Sequence, residues 1–246
     1  MKVFKTLVKI LILLAAAVYL VIAVTKISTV DERDECRGLD IQILDEQQTG
    51  FINENEVREL LVAKKLFPEG KAMNGINLAQ LESVLVVSPY IDKSLCYKTA
   101  EQTVMIKVTP RIPVLHVLNT AGEDFYIDNK GGVMPRGHHT IDLPVVTGNV
   151  QRATAGPLYA SFGNLLAKDK YWRERIEEIH VTSKGELELT PHAGQHTILL
   201  GDTSDLAEKL YRMKVFYAEG LPKAGWNRYS TINVKYANQV ICTKAN

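Results

Sequence analysis

Two histidines spaced four residues apart are the first candidates for chemistry in this sequence of 246 residues. His192 and His196 could bind a zinc ion if they shared one face of a helix. Pro191 and Gly194 instead indicate a turn, in which the two rings would point apart. We therefore predict that His192 and His196 are surface histidines of a turn.

A second histidine pair, His138 and His139, follows Pro135 and Gly137 in a segment with the composition of a loop. Adjacent side chains diverge in a loop, so one metal ion would not be held by both. The H-E-x-x-H pattern of zinc hydrolases does not occur in the sequence. The histidines therefore predict no metal site.

Carboxylates and hydroxyls give little support to hydrolytic chemistry. Glycoside hydrolysis needs two carboxyl groups on either side of the scissile bond. Glu177, Glu178, Glu186 and Glu188 lie together on a predicted hairpin, where glutamates are typical of the solvated face. Ser161 lies in a predicted helix and lacks the G-x-S-x-G pattern of a nucleophile elbow.

Phosphate and cofactor binding are not indicated either. Gly131-Gly132 is not followed by Lys-Ser or Lys-Thr and lacks the β-α-β context of a phosphate-binding loop. Without a nucleophile, paired acids, a metal cluster or such a loop, we predict no cofactor and no enzymatic activity. The sequence favours a protein that binds partners through backbone edges and surface patches.

The composition narrows the function classes further. Lysines and arginines number 29 against 28 aspartates and glutamates, for a formal net charge of +1. The two signs are interspersed, so no basic stripe indicates a nucleic-acid partner. Cys36, Cys96 and Cys242 allow one disulfide or three free thiols. We expect them to be small buried hydrophobic residues.

The N-terminus carries the strongest single signal, an apolar run from Ile10 to Val24. As a helix, residues 7–27 would be about 30 Å long, the thickness of the hydrocarbon core of a bilayer. We predict a cytoplasmic tail at residues 1–6, a transmembrane helix at 7–27 and a linker at 28–35. A long C-terminal part can cross the membrane whatever its charge, which places it outside the cytoplasm.

Two other interpretations of the apolar run stay open. A cleaved signal peptide has the same charged start, but its apolar region is shorter, and Val24-Thr25-Lys26 lacks a small-x-small cleavage site. A helix buried in a soluble protein is the other alternative, because the run is apolar all round rather than on one face.

Residues 36–109 combine strand and helix patterns. Alternating apolar residues predict strands at 39–43, 91–98 and 103–109. Asn53 followed by Glu56 predicts the capped start of a helix that Pro68 ends. A second helix is expected from Asn77 to Val87. The predicted order is therefore strand, helix, helix, strand, strand.

Residues 110–246 are richer in strand patterns, and their turn signals predict a mainly antiparallel sheet with two helices. Proline suits the first position of a helix, so one helix is expected to begin at Pro157. The other is expected from Asp205 to Ala218, ended by Gly220 and Pro222. The fold class is therefore α+β.

Four segments, in their order and spacing, resemble those of the bacterial cell-division family FtsQ/DivIB. They are FYIDNKGGVM at 125–134, LPVVTG at 143–148, LLGD at 199–202 followed by Lys209-Leu210, and INVKYANQV at 232–240. The resemblance covers nearly the whole chain. It implies that residues 36–109 form a POTRA domain and that residues 110–246 form the β domain of the family.

The resemblance also implies a function, that of a non-enzymatic bitopic scaffold of the bacterial divisome. Such a protein lies in the inner (cytoplasmic) membrane at the septum, with its N-terminus cytoplasmic and its domains periplasmic. It recruits and regulates septal division proteins, and its partners are small coiled-coil proteins, FtsB and FtsL. In the family, a partner segment is added as a strand to the last strand of the β domain.

Carried onto this chain, the partner-binding edge would be Tyr236–Cys242, supported by Thr231–Lys235. Tyr236 matches the tyrosine of the family motif, so we expect it to anchor the partner; an ordinary sheet aromatic is the alternative. The expected partner-binding residues are Thr231, Asn233, Lys235, Tyr236, Asn238, Gln239, Val240, Ile241 and Cys242.

Two functions of other classes stay open. A POTRA-bearing component of membrane assembly or transport would need tandem POTRA modules or a barrel of regularly alternating strands. An anchored cell-wall enzyme would need a nucleophile or paired acids in a cleft. The sequence shows neither set of features.

Overall fold

The structure is a computed structural model that describes residues 2–28, 35–44, 51–137 and 141–245, with the side chains of the first helix described from residue 9 to residue 23. These ranges leave His138 and His139 outside the described residues, together with most of the predicted linker.

The chain divides into two compact units. Unit 1 contains Met1–Leu44 and Asn53–Thr109, and unit 2 contains Asp45–Ile52 and Pro110–Asn246. Each unit is described separately below.

Unit 1 begins with helix α1, Lys2–Ser28. Its large apolar side chains between Ile10 and Ile22 are exposed on all sides of the helix. Among the described residues, no helix meets the combined length and hydrophobicity needed to cross a membrane.

The rest of unit 1 has the predicted order of strand, helix, helix, strand and strand, and a short 3₁₀ turn separates its two helices. The elements are β1 Gly38–Ile43, α2 Glu54–Ala63, the turn Met73–Gly75, α3 Leu78–Val86, β2 Ile91–Lys98 and β3 Thr103–Pro110. Strand β3 lies between β1 and β2 and runs parallel to β1.

Side-chain caps fix the starts of both helices of this unit. The Glu56 N–H donates to Asn53 Oδ1 at 3.0 Å, and the Asn53 N–H donates to Glu56 Oε2 at 2.8 Å. The predicted capping box is therefore confirmed. The side chain of Asn77 caps α3 in the same way, by accepting from the Gln80 N–H.

The core of unit 1 is built on β3. Val104, Ile106 and Val108 are fully buried, whereas the residues between them are half-buried, as the period of two requires. The side chains of Val57 and Leu61 from α2 and of Leu81 and Leu85 from α3 are also buried in this unit.

Side chains from the two helices form hydrogen bonds with backbone groups on the outer strands of this sheet. Arg58 Nη2 donates to the Leu39 carbonyl on β1 at 2.8 Å. The Cys96 N–H on β2 donates to Glu82 Oε1 at 2.7 Å. Burial and the nearby Glu82 charge raise the pKa of the Cys96 thiol to about 12. The thiol is therefore protonated at neutral pH.

Unit 2 is built on a nine-stranded sheet in the order β12-β11-β10-β9-β8-β7-β4-β5-β6. The strands are β4 Pro113–Asn119, β5 Asp124–Asp128, β6 Val133–Pro135, β7 Val145–Gly148, β8 Ile176–Val181, β9 Leu187–Pro191, β10 Thr197–Gly201, β11 Tyr229–Asn233 and β12 Ile241–Lys244.

Five of the eight pairings in this sheet are antiparallel, and those of β4 with β7, β7 with β8, and β10 with β11 are parallel. The sheet is mainly antiparallel, as predicted, but mixed. Helices connect β7 to β8 and β10 to β11. A helical crossover returns the chain in its original direction, which explains these two parallel pairs.

The helices of unit 2 are longer and more numerous than predicted. They are α4 Arg152–Lys168, α5 Lys170–Arg173, α6 Leu206–Val215, a π-helical turn Phe216–Gly220 and α7 Leu221–Ala224.

The prediction that a helix begins at Pro157 is wrong, because Pro157 lies inside α4. The turn before it is held by tertiary packing: Ala155 is fully buried, and Gly156 lies so close to Gly131 that a Cβ would be 1.8 Å from the Gly131 oxygen. This contact extends the helix N-terminal to the proline despite the lost hydrogen bond.

The predicted helix end at Ala218 is also wrong. Gly220 is the last residue of the π-helical turn, and Pro222 lies in the first turn of α7. The chain therefore stays helical from Leu206 to Ala224.

We expect the substitution Ile106→Asp to unfold unit 1. It would place a carboxylate at a fully buried position of β3, at a cost on the order of 4 kcal/mol or more. Limited proteolysis followed by mass spectrometry should find cleavage sites spread over residues 35–109. Lys107→Asp places the same carboxylate one residue further, at a half-buried position, and should stay resistant. Resistance of Ile106→Asp would contradict the assignment of the core.

Candidate partner-binding edge

The last strand, β12, forms one edge of the nine-stranded sheet, where it pairs with β11 alone. Thr231 and Asn233 of the predicted set lie in β11, and Ile241 and Cys242 lie in β12. The last strand of the chain is therefore an edge strand of the sheet, and it contains the last two residues of the expected edge.

The sequence predicts the last two strands at Thr231–Tyr236 and Gln239–Thr243, on either side of Ala237-Asn238. In the structure β11 ends at Asn233 and β12 begins at Ile241, so the first five residues of the expected edge Tyr236–Cys242 precede β12. Lys235, Tyr236, Asn238, Gln239 and Val240 lie in the connection between β11 and β12. We call residues 234–240 the edge loop.

Local hydrogen bonds and one backbone angle explain why β11 ends early. The Lys235 N–H donates to Asn233 Oδ1 at 2.9 Å, which forms a turn at the end of β11. Asn238 has a φ of +59°, a left-handed conformation that asparagine tolerates and a strand excludes. These two asparagines place the first part of the expected edge in a loop.

Arg212 of α6 holds the edge loop in place. Its Nη1 donates to the carbonyls of Tyr236 and Gln239, the latter at 2.8 Å, and its Nη2 donates to the Val234 carbonyl at 3.0 Å. Its Nε lies 3.1 Å from Glu208 Oε1, an ion pair whose alignment falls outside hydrogen-bond geometry. One guanidinium therefore fixes three carbonyls of the loop.

The register of β12 determines which of its backbone groups face outwards. The Ala245 N–H donates to the Arg228 carbonyl at 2.9 Å, so Ala245 faces β11. Directions alternate along an antiparallel strand, and Thr243 pairs with Thr231. The backbone groups of Thr243 therefore face inwards, and the N–H and C=O of Cys242 face the open edge.

The opposite edge of the sheet is protected. Strand β6 has only three residues, Val133–Pro135. Pro135 has no N–H to offer a further strand, and short edge strands that contain proline are a common protection against unwanted pairing. Within the described sheet, β12 is the edge that is better suited to a partner.

A groove of about 540 Å³ lies beside the edge loop. Val215 and Phe216 line it from the helical side, and Val240 lines it from the edge loop. Glu219 and Lys223 add one charge of each sign to its lining. The groove is therefore an apolar site with polar groups at its margin, of a kind that binds side chains.

Tyr236 is 54% exposed and belongs to the edge loop. The alternative that it is an ordinary sheet aromatic is therefore wrong. The side chain of the adjacent Lys235 is held by an ion pair, in which its Nζ donates to Glu186 Oε2 at 2.6 Å. Tyr236 is the exposed aromatic side chain next to the edge strand.

Of the two histidines predicted to lie on the surface of a turn, only His192 does so. His192 is exposed, with Nδ1 3.6 Å from Glu177 Oε2. The prediction for His196 is wrong, because its side chain is buried and its Nε2 lies 2.6 Å from the Tyr217 hydroxyl. Among the residues that the structure describes, no group of three or more histidines, cysteines, aspartates or glutamates could hold a metal ion.

Arg212 and the groove residues were not predicted from the sequence. Arg212 follows Glu208 by four residues on a helix, which by itself indicates only a solvated ion pair. Its contacts to residues 22 to 27 positions further along depend on the tertiary fold. Phe216 resembles any apolar helix residue, and nothing in the sequence distinguishes it.

Comparison with known proteins assigns both parts of the chain. A family model described as FtsQ/DivIB, C-terminal related, matches residues 112–243, and a POTRA-like domain model matches residues 34–109. The cell division protein FtsQ of Rhodothermus marinus is 26% identical over 184 residues, which cover 70% of this chain and 67% of that protein.

We expect Arg212→Lys to loosen the edge loop. Lysine keeps the charge but loses the planar fork that reaches three carbonyls, and charged hydrogen bonds contribute about 1.5–3 kcal/mol each. Hydrogen exchange of residues 234–240 should accelerate by about ten-fold or more. Arg173→Lys, an exposed control in the same unit, should leave the exchange unchanged. Equal exchange in both variants would show that Arg212 does not hold the loop.

Proposed function

Since the chain belongs to the FtsQ/DivIB family, we propose that it is a non-enzymatic scaffold of the bacterial divisome that captures a partner segment by strand addition at β12. The observation that carries this proposal is the outward-facing N–H and C=O of Cys242 at the open edge of the sheet, next to the groove. A partner strand would supply the missing hydrogen bonds.

The other sheet edges favour β12 as the site of addition. Arg58 and Glu82 occupy backbone groups on β1 and β2 in unit 1. In unit 2 the other edge strand, β6, is short and contains Pro135. Covered or shortened edges resist pairing with further strands.

The groove would supply specificity. Val240 and Cys242 both pack towards the core of unit 2, so alternate side chains of an added strand would lie on that same side of the sheet. An apolar partner side chain there would contact Val240, Val215 and Phe216. Tyr236, exposed beside the edge, would add an aromatic contact of the type that dominates many interfaces.

The partners proposed are small coiled-coil bitopic division proteins of the FtsB and FtsL type. Resemblance to the family supports this class, and the edge strand and groove offer the backbone and side-chain contacts that a short extended segment needs. Family membership favours this function over a POTRA-bearing transport component or an anchored cell-wall enzyme.

We also propose that the N-terminal apolar run tethers the chain to the inner membrane, with residues 1–6 cytoplasmic, 7–27 in the bilayer, 28–35 as a linker, and both domains, 36–109 and 110–246, periplasmic. The apolar sequence and the exposed apolar side chains of α1 support the tether. The orientation rests on the ability of a long C-terminal part to cross the membrane whatever its charge.

The variant Cys242→Pro should weaken capture of the partner by about ten-fold or more, because the partner carbonyl that it faces is left without a donor. It removes the N–H that faces outwards and leaves the pairing of β12 with β11 intact, because edge strands tolerate proline where the N–H faces away. The assay is binding of the periplasmic segment of an FtsB-type protein to residues 28–246. Cys242→Ala keeps the N–H and should bind like the parent chain.

A second proline variant separates loss of binding from loss of the strand. Thr243→Pro removes an N–H that faces β11, so it should detach β12 and accelerate hydrogen exchange in β11, whereas Cys242→Pro should leave that exchange unchanged. Binding by Cys242→Pro at the parental affinity would overturn strand addition at β12. If the parent chain itself does not bind, the proposed partner class is wrong.

For the anchor, we expect the full chain to remain in the membrane pellet after extraction with alkaline carbonate, whereas a chain that begins at residue 28 should be released. An inserted helix with about 20 apolar residues resists such extraction, because its removal exposes the whole apolar run to water. Release of the full chain would contradict the anchor, and a shortened mature protein would support the signal-peptide alternative.

A further inference from the structure

A buried histidine–tyrosine pair lies beneath the helical wall of the groove. His196, immediately before β10, is only 3% exposed, and its Nε2 lies 2.6 Å from the hydroxyl of Tyr217. Its Nδ1 is buried and has no hydrogen-bond partner among the described residues. Gly194 passes so close to this ring that a Cβ there would lie 2.7 Å from Nδ1.

Tyr217 belongs to the π-helical turn Phe216–Gly220. The neighbouring residues of this turn, Phe216, Glu219 and Gly220, line the groove, whereas the Tyr217 side chain is buried in the core. A π-helical turn inserts one extra residue into a helix, and such turns are frequent at functional sites. A contact that fixes Tyr217 therefore also fixes the positions of Phe216, Glu219 and Gly220, which form the groove wall on this side.

We propose that His196 is a positioning residue for the groove, which holds the π-helical turn through its hydrogen bond to Tyr217 and whose buried site accommodates only a neutral imidazole. Protonation of His196 would then loosen the turn and the groove wall. The consequence for partner capture rests on the proposed function, whereas the loosening itself does not depend on any partner.

The surroundings of the pair disfavour a charged imidazole. Burial lowers the pKa of His196. An imidazolium carries protons on both ring nitrogens, so its Nδ1–H would find no acceptor in the described structure. The other titratable groups around the pair act on Tyr217: burial first and then Tyr171 raise the pKa of its hydroxyl, whereas Arg175 opposes them. No carboxylate faces His196 among the described contacts to compensate an imidazolium.

The direction of the pH dependence follows from the lowered pKa. The closed turn binds fewer protons than the open one in the pH range below about 6.5, the ordinary pKa of an exposed histidine. The stability of the closed turn is therefore fully present above about pH 6.5 and falls as the pH drops through the lowered pKa of the closed state.

The test is hydrogen exchange of residues 216–224 in the full chain at pH 7.5 and pH 5.5, expressed as protection relative to the intrinsic rate at each pH. Protection in the parent chain should fall several-fold, and by at most about ten-fold, because an open-state pKa of about 6.5 allows no larger change over this range. Constant protection would overturn the proposal.

Two variants isolate the histidine. His196→Gln retains an amide near the position of Nε2 without a titration, so its protection should be the same at both pH values. His192→Gln removes an exposed histidine of the same connection and should retain the parental fall. A fall in His196→Gln as large as in the parent chain would show that another group is responsible.

Tyr217→Phe tests the hydrogen bond itself. It keeps the ring that packs against Trp172 and Trp226 and removes only the hydroxyl. Protection of residues 216–224 should be lower than in the parent chain already at pH 7.5, with α2 of unit 1 as an unaffected reference. Parental protection in Tyr217→Phe would show that the bond does not position the turn, even if His196→Gln fails to fold.

Discussion

The backbone N–H and C=O groups at the edge of a β-sheet need partners, and an open sheet of nine strands has two such edges. In this chain β6 limits one edge by its short length and Pro135, whereas β12 leaves the backbone groups of Cys242 directed outwards. The groove, the edge loop and the helical segment behind them are all arranged around this second edge. Binding at this edge of unit 2 therefore requires that β12 stays paired with β11 while its outer backbone groups stay open.

The position of β12 depends on contacts other than its backbone hydrogen bonds to β11. Ile241 is 46% exposed, and the strand has only four residues, so few side-chain contacts hold it. Arg212 compensates by fixing the preceding loop through three carbonyls. Because the same helix continues into the π-helical turn that lines the groove, the edge and the groove share one support.

The sequence predicted the parts of this fold that are set by local periodicity and capping. The alternation of Val104, Ile106 and Val108 and the capping box at Asn53 were read correctly, because both depend on residues within one element. The start of α4 and the continuation of the helix beyond Ala218 were not, because the Gly131–Gly156 approach and the π-helical turn arise from tertiary packing. The turn at Ala237-Asn238 was predicted, but the full length of the edge loop was not, because its carbonyls are also held by Arg212, more than 20 residues away in the chain.

Magnitudes show why the edge and the groove must act together in partner capture. Cys242 and Lys244 face outwards, so together they offer at most four backbone hydrogen bonds, each with a net contribution of about 1 kcal/mol. A total of about 4 kcal/mol corresponds to a dissociation constant of about 1 mM, before the entropic cost of association is counted. Burial of one large apolar side chain adds about 1.5–3 kcal/mol, and the groove next to Val240 has room for such a side chain. Under the proposed strand addition, specific capture would therefore require that Arg212 and Tyr217 keep the edge loop and the groove wall in register with each other.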